Sequence, residues 1–193
     1  MSYGHPLPHD AAHLHVTGAA RYVDDLPCPA NCLHLAFGLS SIASGQITDP
    51  SLDRVRAHEG VIAVLTADDV PFSNDVSPAA GDEPLLSEGR VNYIGQPIFL
   101  VIATSHLSAR KAARLAQVTY AEHEAILSID QALAANSRFE DGPRIYQKGD
   151  PSAAIAQATH KIQGEIVIGG QEHFYLEGQA ALALPQDDQE MVV

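Results

Sequence analysis

The chain has 193 residues, 46% hydrophobic and 18% charged, enough apolar material for one sizeable core or for one domain and part of another. Eleven Lys and Arg stand against 24 Asp and Glu, a net charge of -13 that repels a phosphate backbone and argues against nucleic acid as a partner. No apolar run approaches the ~18 residues of a membrane span, the first residues lack the basic start and apolar core of a signal peptide, and the cytoplasm is the expected compartment.

Residues 1–14, and more loosely the stretch up to residue 31, read as an extended N-terminal segment punctuated by Pro6, Pro8, Pro27 and Pro29. His5, His9 and His13 recur at i, i+4 and i+8, with His15 beyond them. Pro6 and Pro8 make one continuous helix there costly, so these histidines are expected in a loop rather than as metal ligands. Cys28 and Cys32 stand in C-P-A-N-C, a wider spacing than the common redox or zinc motif, and two cysteines cannot supply the four ligands of an iron–sulfur cluster.

Leu33–Ser40 alternates well enough for a strand, and Gly45–Thr48 is a second short one. Asp49 is expected to cap a helix with Pro50 at its first position, running through Arg56 and closed by Gly60. Val61–Leu65 and Pro97–Ala103 are apolar on both faces and read as two central strands of one buried sheet. Between them, residues 71–92 carry three prolines and two glycines and read as a long loop, of the kind that often forms a contact surface.

Thr104 or Ser105 should cap a helix reaching about Gln117, with Leu107, Ala112, Leu115 and Ala116 inward and Arg110, Lys111 and Arg114 outward. The three basic side chains read as a solvated face rather than an anion grip. Val118–Tyr120 is a further strand and Ile129–Ala135 a short helix. Asp141–Asp150 looks like a linker, and Pro151 opens a small helix over Ser152–Ala158. Ile162–Ile168 and Phe174–Leu184 then read as two strands of a hairpin bending at Gly169 and Gly170. An uncovered strand edge recruits another chain, so self-association or a disordered tail is expected.

The alternation of strands and helices between residues 33 and 120 makes the fold α/β or α+β. The stretch Gly169-Gly170-Gln171-Glu172-His173-Phe174-Tyr175-Leu176-Glu177-Gly178-Gln179 is harder to read. As a helix it puts His173 and Glu177 at a workable metal-ligand spacing, but glycines on both sides oppose a helix. As a strand it sets Gln171, His173, Tyr175 and Glu177 on one face and Phe174 and Leu176 on the other, anchoring the segment in the core. The residues alone leave a half-exposed strand and a binding site in balance.

Several short strings are spread along nearly the whole chain: His15-Val16-Thr17-Gly18 with Ala20-Arg21-Tyr22-Val23-Asp24-Asp25; Val55-Arg56-Ala57; Val64-Leu65-Thr66-Ala67-Asp68-Asp69-Val70-Pro71; Tyr93-Ile94-Gly95-Gln96-Pro97; and Gly169 to Gln179. In this order and spacing the chain resembles the molybdenum hydroxylase family, in particular the N-terminal part of the molybdopterin-binding large subunit of bacterial xanthine dehydrogenase. The resemblance implies an α/β (α+β) fold: a hammerhead-like domain over residues 15–130, a linker over 131–150, and the first β-strands of a molybdenum-binding domain over 151–193. It implies molybdopterin as the cofactor of the complete enzyme, with 2Fe-2S clusters and FAD on other domains or subunits. The implied reaction is hydroxylation of a purine, hypoxanthine or xanthine, with water as oxygen source and electrons passed to the clusters, flavin and NAD. The implied partners are the remainder of the molybdopterin-binding subunit and the FAD and iron–sulfur subunit.

In the family motif the glutamine after the double glycine lies beside the molybdenum centre, within hydrogen-bond reach of a metal-bound oxygen. By match that residue is Gln171, with Gly170 next to it as the second cofactor-binding position. An amide suits the task, because it donates a hydrogen bond without adding charge or competing as a ligand. Family subunits continue well past the equivalent of Val193, and the pterin-holding loops and the glutamate base lie in that later part. No catalytic residue and no metal ligand is therefore assigned here, and Glu172 and Glu177 are not promoted to fill the gap. The chain alone is expected to bind no cofactor and to be inactive. The alternative is a stand-alone binding or interaction module derived from the hammerhead domain, and a third reading is a metalloprotein built on the histidines.

Overall fold

The computed structural model describes the chain apart from residues 1–3, 5, 79–80, 139–141, 143 and 188–189. In chain order the elements are helix α1 (Ala12–Thr17), strands β1 (His34–Leu39) and β2 (Gly45–Asp49), helix α2 (Asp53–Arg56), and strands β3 (Val61–Leu65), β4 (Arg90–Val91) and β5 (Pro97–Ala103). Helix α3 (His106–Ala113), strand β6 (Thr119–Glu122), helices α4 (Ile129–Ala134) and α5 (Pro151–Gln157), and strands β7 (Leu184–Gln186) and β8 (Glu190–Val192) complete the mixed α/β fold. They fall into two compact units, Ala30–Tyr146 and Met1–Pro29 with Gln147–Val193.

The unit Ala30–Tyr146 holds the core. Its centre is β5, a strand apolar on both faces, with antiparallel neighbours on either side in the order β1-β5-β3. Phe99, Val101 and Ala103 share one face of β5 and cluster with Leu52 and Val55 from the α2 segment and with Ala109 and Ala112 of α3. The two alanines lie three residues apart on one stripe, and their small size lets the helix settle close to the sheet. Ser105 starts that helix as expected, its Oγ accepting the Ser108 N–H at 3.1 Å. Leu107 does not face inward; it is 63% exposed, because it lies two residues off the alanine stripe. Arg110, Lys111 and Arg114 are exposed.

The expectation of two central strands holds for β5 and fails for β3. Among the described residues β3 pairs only with β5 and is an edge. Val61 and Val64 pack against the core, but the register shifts between Val61 and Ala63 and leaves Ile62 59% exposed. A second antiparallel sheet has the order β4-β2-β6. Gly45 in its middle strand is required by space: a Cβ there would lie 2.7 Å from the Ala121 carbonyl oxygen.

The α2 helix begins later than its sequence suggests. Asp49 ends β2 and caps nothing helical; its Oδ1 accepts the Ser51 N–H at 2.8 Å while Ser51 takes a φ of 42°, and the helix starts at Asp53. Gly60 follows in the left-handed region, at a φ of 86°. The long loop ends in a strand, β4, and is pinned along its length. The Asn74 side chain donates to the Leu86 carbonyl at 2.7 Å and accepts the Leu86 N–H at 3.0 Å. The short helix α4 carries a reciprocal cap, Ser128 Oγ accepting the Gln131 N–H and Gln131 Oε1 accepting the Ser128 N–H.

The other unit is sparer. Its helix α1 corrects the reading of a wholly extended segment with loop histidines: His13 and His15 are helical, and His9 precedes the helix, its carbonyl accepting the Ala12 N–H at 2.8 Å. The prolines are no obstacle because the helix starts four residues after Pro8, and Gly18 closes it at a φ of 72°. His5 lies outside the described residues. Asp150 caps α5 through Oδ1 on the Ala153 N–H at 2.9 Å, with Pro151 in the first helical position.

The expected hairpin over residues 159–184 is not formed. Among the described residues, 158–183 include neither helix nor strand, and the only pairing in this part of the chain is β7 with β8. Ile162–Ile168 has a strand's composition without a partner to bond its backbone, and β-propensity describes fit to a half-buried surface rather than a preference of the isolated chain.

Candidate functional site

Three of the strings that carry the resemblance turn out to be structural devices. In Tyr93–Pro97, the Gln96 side chain is 1% exposed and its Oε1 accepts the Asn92 N–H at 2.7 Å. The Gln96 carbonyl accepts from the Ser40 N–H and the Ser40 carbonyl accepts from the Gly95 N–H, both at 2.8 Å, with Gly95 at a φ of 89°. The string is a clasp that joins the end of β1 to the start of β5. Sequence reasoning passed over Gln96; the signal was a lone amide between a glycine and the proline that opens the most apolar strand.

Thr66–Asp69 and Tyr22–Asp25 are tight helical turns with the same chemistry. The Asp69 carboxylate accepts the Thr66 N–H at 2.8 Å and the Thr66 hydroxyl at 3.1 Å, and these two bonds hold its pKa below the usual aspartate value, with a smaller favourable field from Arg56. Asp25 accepts the Tyr22 N–H at 2.9 Å in the equivalent position. Asp75 is lowered in the same way, by the Ser77 N–H first and then its hydroxyl.

The Gly169–Gln179 segment is different in kind, because every residue in it is exposed. Phe174 and Leu176 are 92% and 87% exposed, which corrects their reading as core anchors. Glu172 Oε1 accepts the Phe174 N–H at 3.2 Å while Phe174 sits at a φ of 49°, and Gln179 Nε2 donates to the Tyr175 hydroxyl at 3.0 Å. A Cβ added at Gly169 or Gly170 would meet nothing within 4 Å, so no bulky neighbour within the chain demands a glycine at either position. The Gln171 amide is directed at no partner among the described residues.

These facts test the fit of a molybdopterin. The donor chemistry is suitable: an uncommitted amide and bare glycine backbone can approach an oxo group. The enclosure is absent, since no buried side-chain polar atom among the described residues lacks a hydrogen bond and nothing walls Gly170 and Gln171. Among the described residues of 147–193, none encloses a pterin-sized site. Neither do the histidines assemble; among the described residues no group of three or more His, Cys, Asp or Glu is placed to hold a metal. His15 Nδ1 instead meets the Tyr22 hydroxyl at 3.3 Å.

Family comparison fixes what this arrangement belongs to. The family model for the aldehyde oxidase and xanthine dehydrogenase a/b hammerhead domain matches residues 17–124, and the molybdopterin cofactor-binding domain matches residues 136–193. The chain belongs to the aldehyde oxidase and xanthine dehydrogenase family. It is 39% identical over 192 residues to aldehyde oxidase 4 of Rattus norvegicus and 39% identical over 190 residues to xanthine dehydrogenase of Drosophila subobscura. Those alignments cover 98% and 97% of the chain and 14% of each relative. The chain thus spans a small part of the length of the curated relatives it matches. The fold is that of the solved aldehyde oxidoreductase from Desulfovibrio gigas, with a TM-score of 0.66 and 29% identity over 79% of this chain and 19% of that one.

Proposed function

We propose that these residues serve as the N-terminal part of the molybdopterin-binding subunit of a molybdenum hydroxylase acting on hypoxanthine or xanthine. The carrying observation is the succession of two family domains, hammerhead over 17–124 and molybdopterin-binding over 136–193, in one chain. Molybdopterin, when bound to the assembled subunit, supplies the redox centre for hydroxylating the substrate carbon, with water as oxygen source. No step of that chemistry is assigned to residues 147–193. Their proposed share is one hydrogen bond: Gln171, exposed and uncommitted, donates to an oxygen of the centre once other parts of the subunit enclose it, and Gly170 leaves the approach open. 2Fe-2S clusters and FAD on partner domains or subunits would supply the electron acceptors, in a cytoplasmic enzyme.

The aldehyde oxidase among the relatives supports a second reading, an aldehyde substrate, as strongly as identity alone can. The test is to produce the complete subunit containing these residues with its flavin and iron–sulfur partners, and to compare turnover of hypoxanthine and xanthine with that of an aromatic aldehyde. Purine turnover dominant over aldehyde turnover supports the proposal. The reverse ranking overturns the substrate assignment, and a complete subunit without molybdenum or pterin overturns the family function in favour of a binding module.

A further inference from the structure

The outer edge of β1 borders a groove of about 530 Å³. Four consecutive residues of the strand, Ala36 to Leu39, line one wall, and Arg110, Arg114, Gln117 and Tyr120 stand on the other. Consecutive strand residues point to opposite faces, so a groove that touches all four meets the strand side-on, along its backbone. Among the described residues β1 pairs with β5 alone, which leaves the N–H and C=O groups on its far side without a strand partner there. His34–Leu39 contains neither lysine nor proline, two residues that commonly blunt such an edge, and its pairing with β5 shifts register between Gly38 and Leu39. Phe37 and Leu39 are about half exposed beside it and offer apolar surface to an incoming chain.

Charge identifies the incoming chain. Arg110 and Arg114 are one helical turn apart, both exposed, and neither forms an ion pair among the described residues. The lining contains no Asp or Glu, although acidic residues outnumber basic ones 24 to 11 over the whole sequence. Two uncompensated guanidinium groups beside a free strand edge select for carboxylates on the partner. We propose that this groove binds an extended acidic strand of another polypeptide, which adds to β1 through backbone hydrogen bonds and sets carboxylates against Arg110 and Arg114. The site is independent of the Gln171 segment and of the substrate assignment.

The probe is a peptide of alternating Glu and Val, titrated into the full 193-residue chain, with a Lys and Val peptide and a backbone N-methylated Glu and Val peptide as controls. Anisotropy gives affinity, and amide hydrogen exchange locates the contact. The expected result is that the acidic peptide binds at least about tenfold more tightly than the basic one. It should slow exchange at residues 36–39, and the N-methylated form should lose binding. The double variant R110E/R114E, with both changes on exposed side chains, should keep the thermal midpoint and weaken binding by about tenfold or more. Equal binding of both peptides, or slowed exchange confined to other segments, overturns the proposal. Protection of residues 36–39 without peptide, rising with protein concentration alongside sedimentation of a dimer, also overturns it and assigns the edge to a second copy.

Discussion

The ring of Phe99 occupies the space that a side chain at Gly38 would need: a Cβ built at Gly38 would lie 2.0 Å from the Phe99 Cζ. The two residues face one another across the β1–β5 pair, Gly38 opposite Phe99 in the register. Phe99 is almost fully buried and its ring already packs against the backbone at Gly38. Gly38→Ala should therefore destabilise the protein by about 1–3 kcal/mol through overpacking. Chemical denaturation measures it, and adding Phe99→Leu should recover part of the loss, a non-additivity expected of touching residues. Equal losses in the single and double variants would show that the clash is absorbed elsewhere.

The clasp at Gln96 makes a second prediction. Removing its amide by Gln96→Ala strips the Asn92 N–H of its 2.7 Å acceptor and leaves a void where the buried Gln96 side chain stood. The cost should be about 1–3 kcal/mol in a urea melt. A loss below about 0.5 kcal/mol would show that water replaces the amide and that the clasp is held by its backbone bonds alone.

The two apolar strands should now respond differently to charge. Val101 on β5 is fully buried, so Val101→Asp should cost several kcal/mol by leaving a charge unpaired in the core. Ile62 on β3 is exposed at an edge, and Ile62→Lys should stay within about 0.5 kcal/mol of the parent. Similar losses at both positions in paired denaturant melts would contradict the edge assignment of β3.

That contrast shows what was legible in the residues and what was not. β5, β1, β6 and the capped helices α3, α4 and α5 follow from local signals: apolar runs, Ser105, Ser128, and Asp150 before Pro151. The edge position of β3 does not, because an apolar run on both faces is written alike for a central strand and for an edge strand beside a bulge. The later start of α2 was hidden because Asp49 is equally able to bond a helix N–H or the N–H of a turn, and Ser51 takes the bond. The segment from Ile162 to Ala183 misleads most: its composition is a strand's, while strand formation depends on a partner that residues 147–193 do not present to it. The candidate site was legible only by resemblance. Nothing in the packing singles out Gln171, whereas Gln96, which packing does single out, is structural.

Asp69 supports a prediction about pH. Its pKa is lowered by the Thr66 N–H and then the Thr66 hydroxyl, so the folded state binds the proton less readily than the unfolded chain. The stability it lends is present above the ordinary aspartate pKa and fades as pH falls through the lowered folded value. Carbon-13 titration should place both Asp69 and Asp75 below the ordinary aspartate value. Because the backbone bond is the larger cause, Thr66→Val should return Asp69 only part of the way; a full return would give the hydroxyl the leading role.

Gln171 offers the sharpest separation between structure and function. Its side chain is exposed and meets no partner among the described residues, and a Cβ at the neighbouring Gly170 would touch nothing within 4 Å. Gln171→Ala and Gly170→Ala should each shift the stability of the 193-residue chain by less than about 0.5 kcal/mol. In the assembled enzyme the two changes should act on the centre instead. On the proposed role of Gln171, Gln171→Ala should lower turnover or molybdenum retention by about ten- to hundred-fold, the scale on which groups supporting a metal site act. Gly170→Ala narrows the approach and should act in the same direction. The measurement is molybdenum content together with kcat for each variant of the complete enzyme, beside a denaturant melt of the isolated chain. A melt that collapses while turnover and molybdenum content stay at the parent level would make Gln171 a structural residue and remove it from the site.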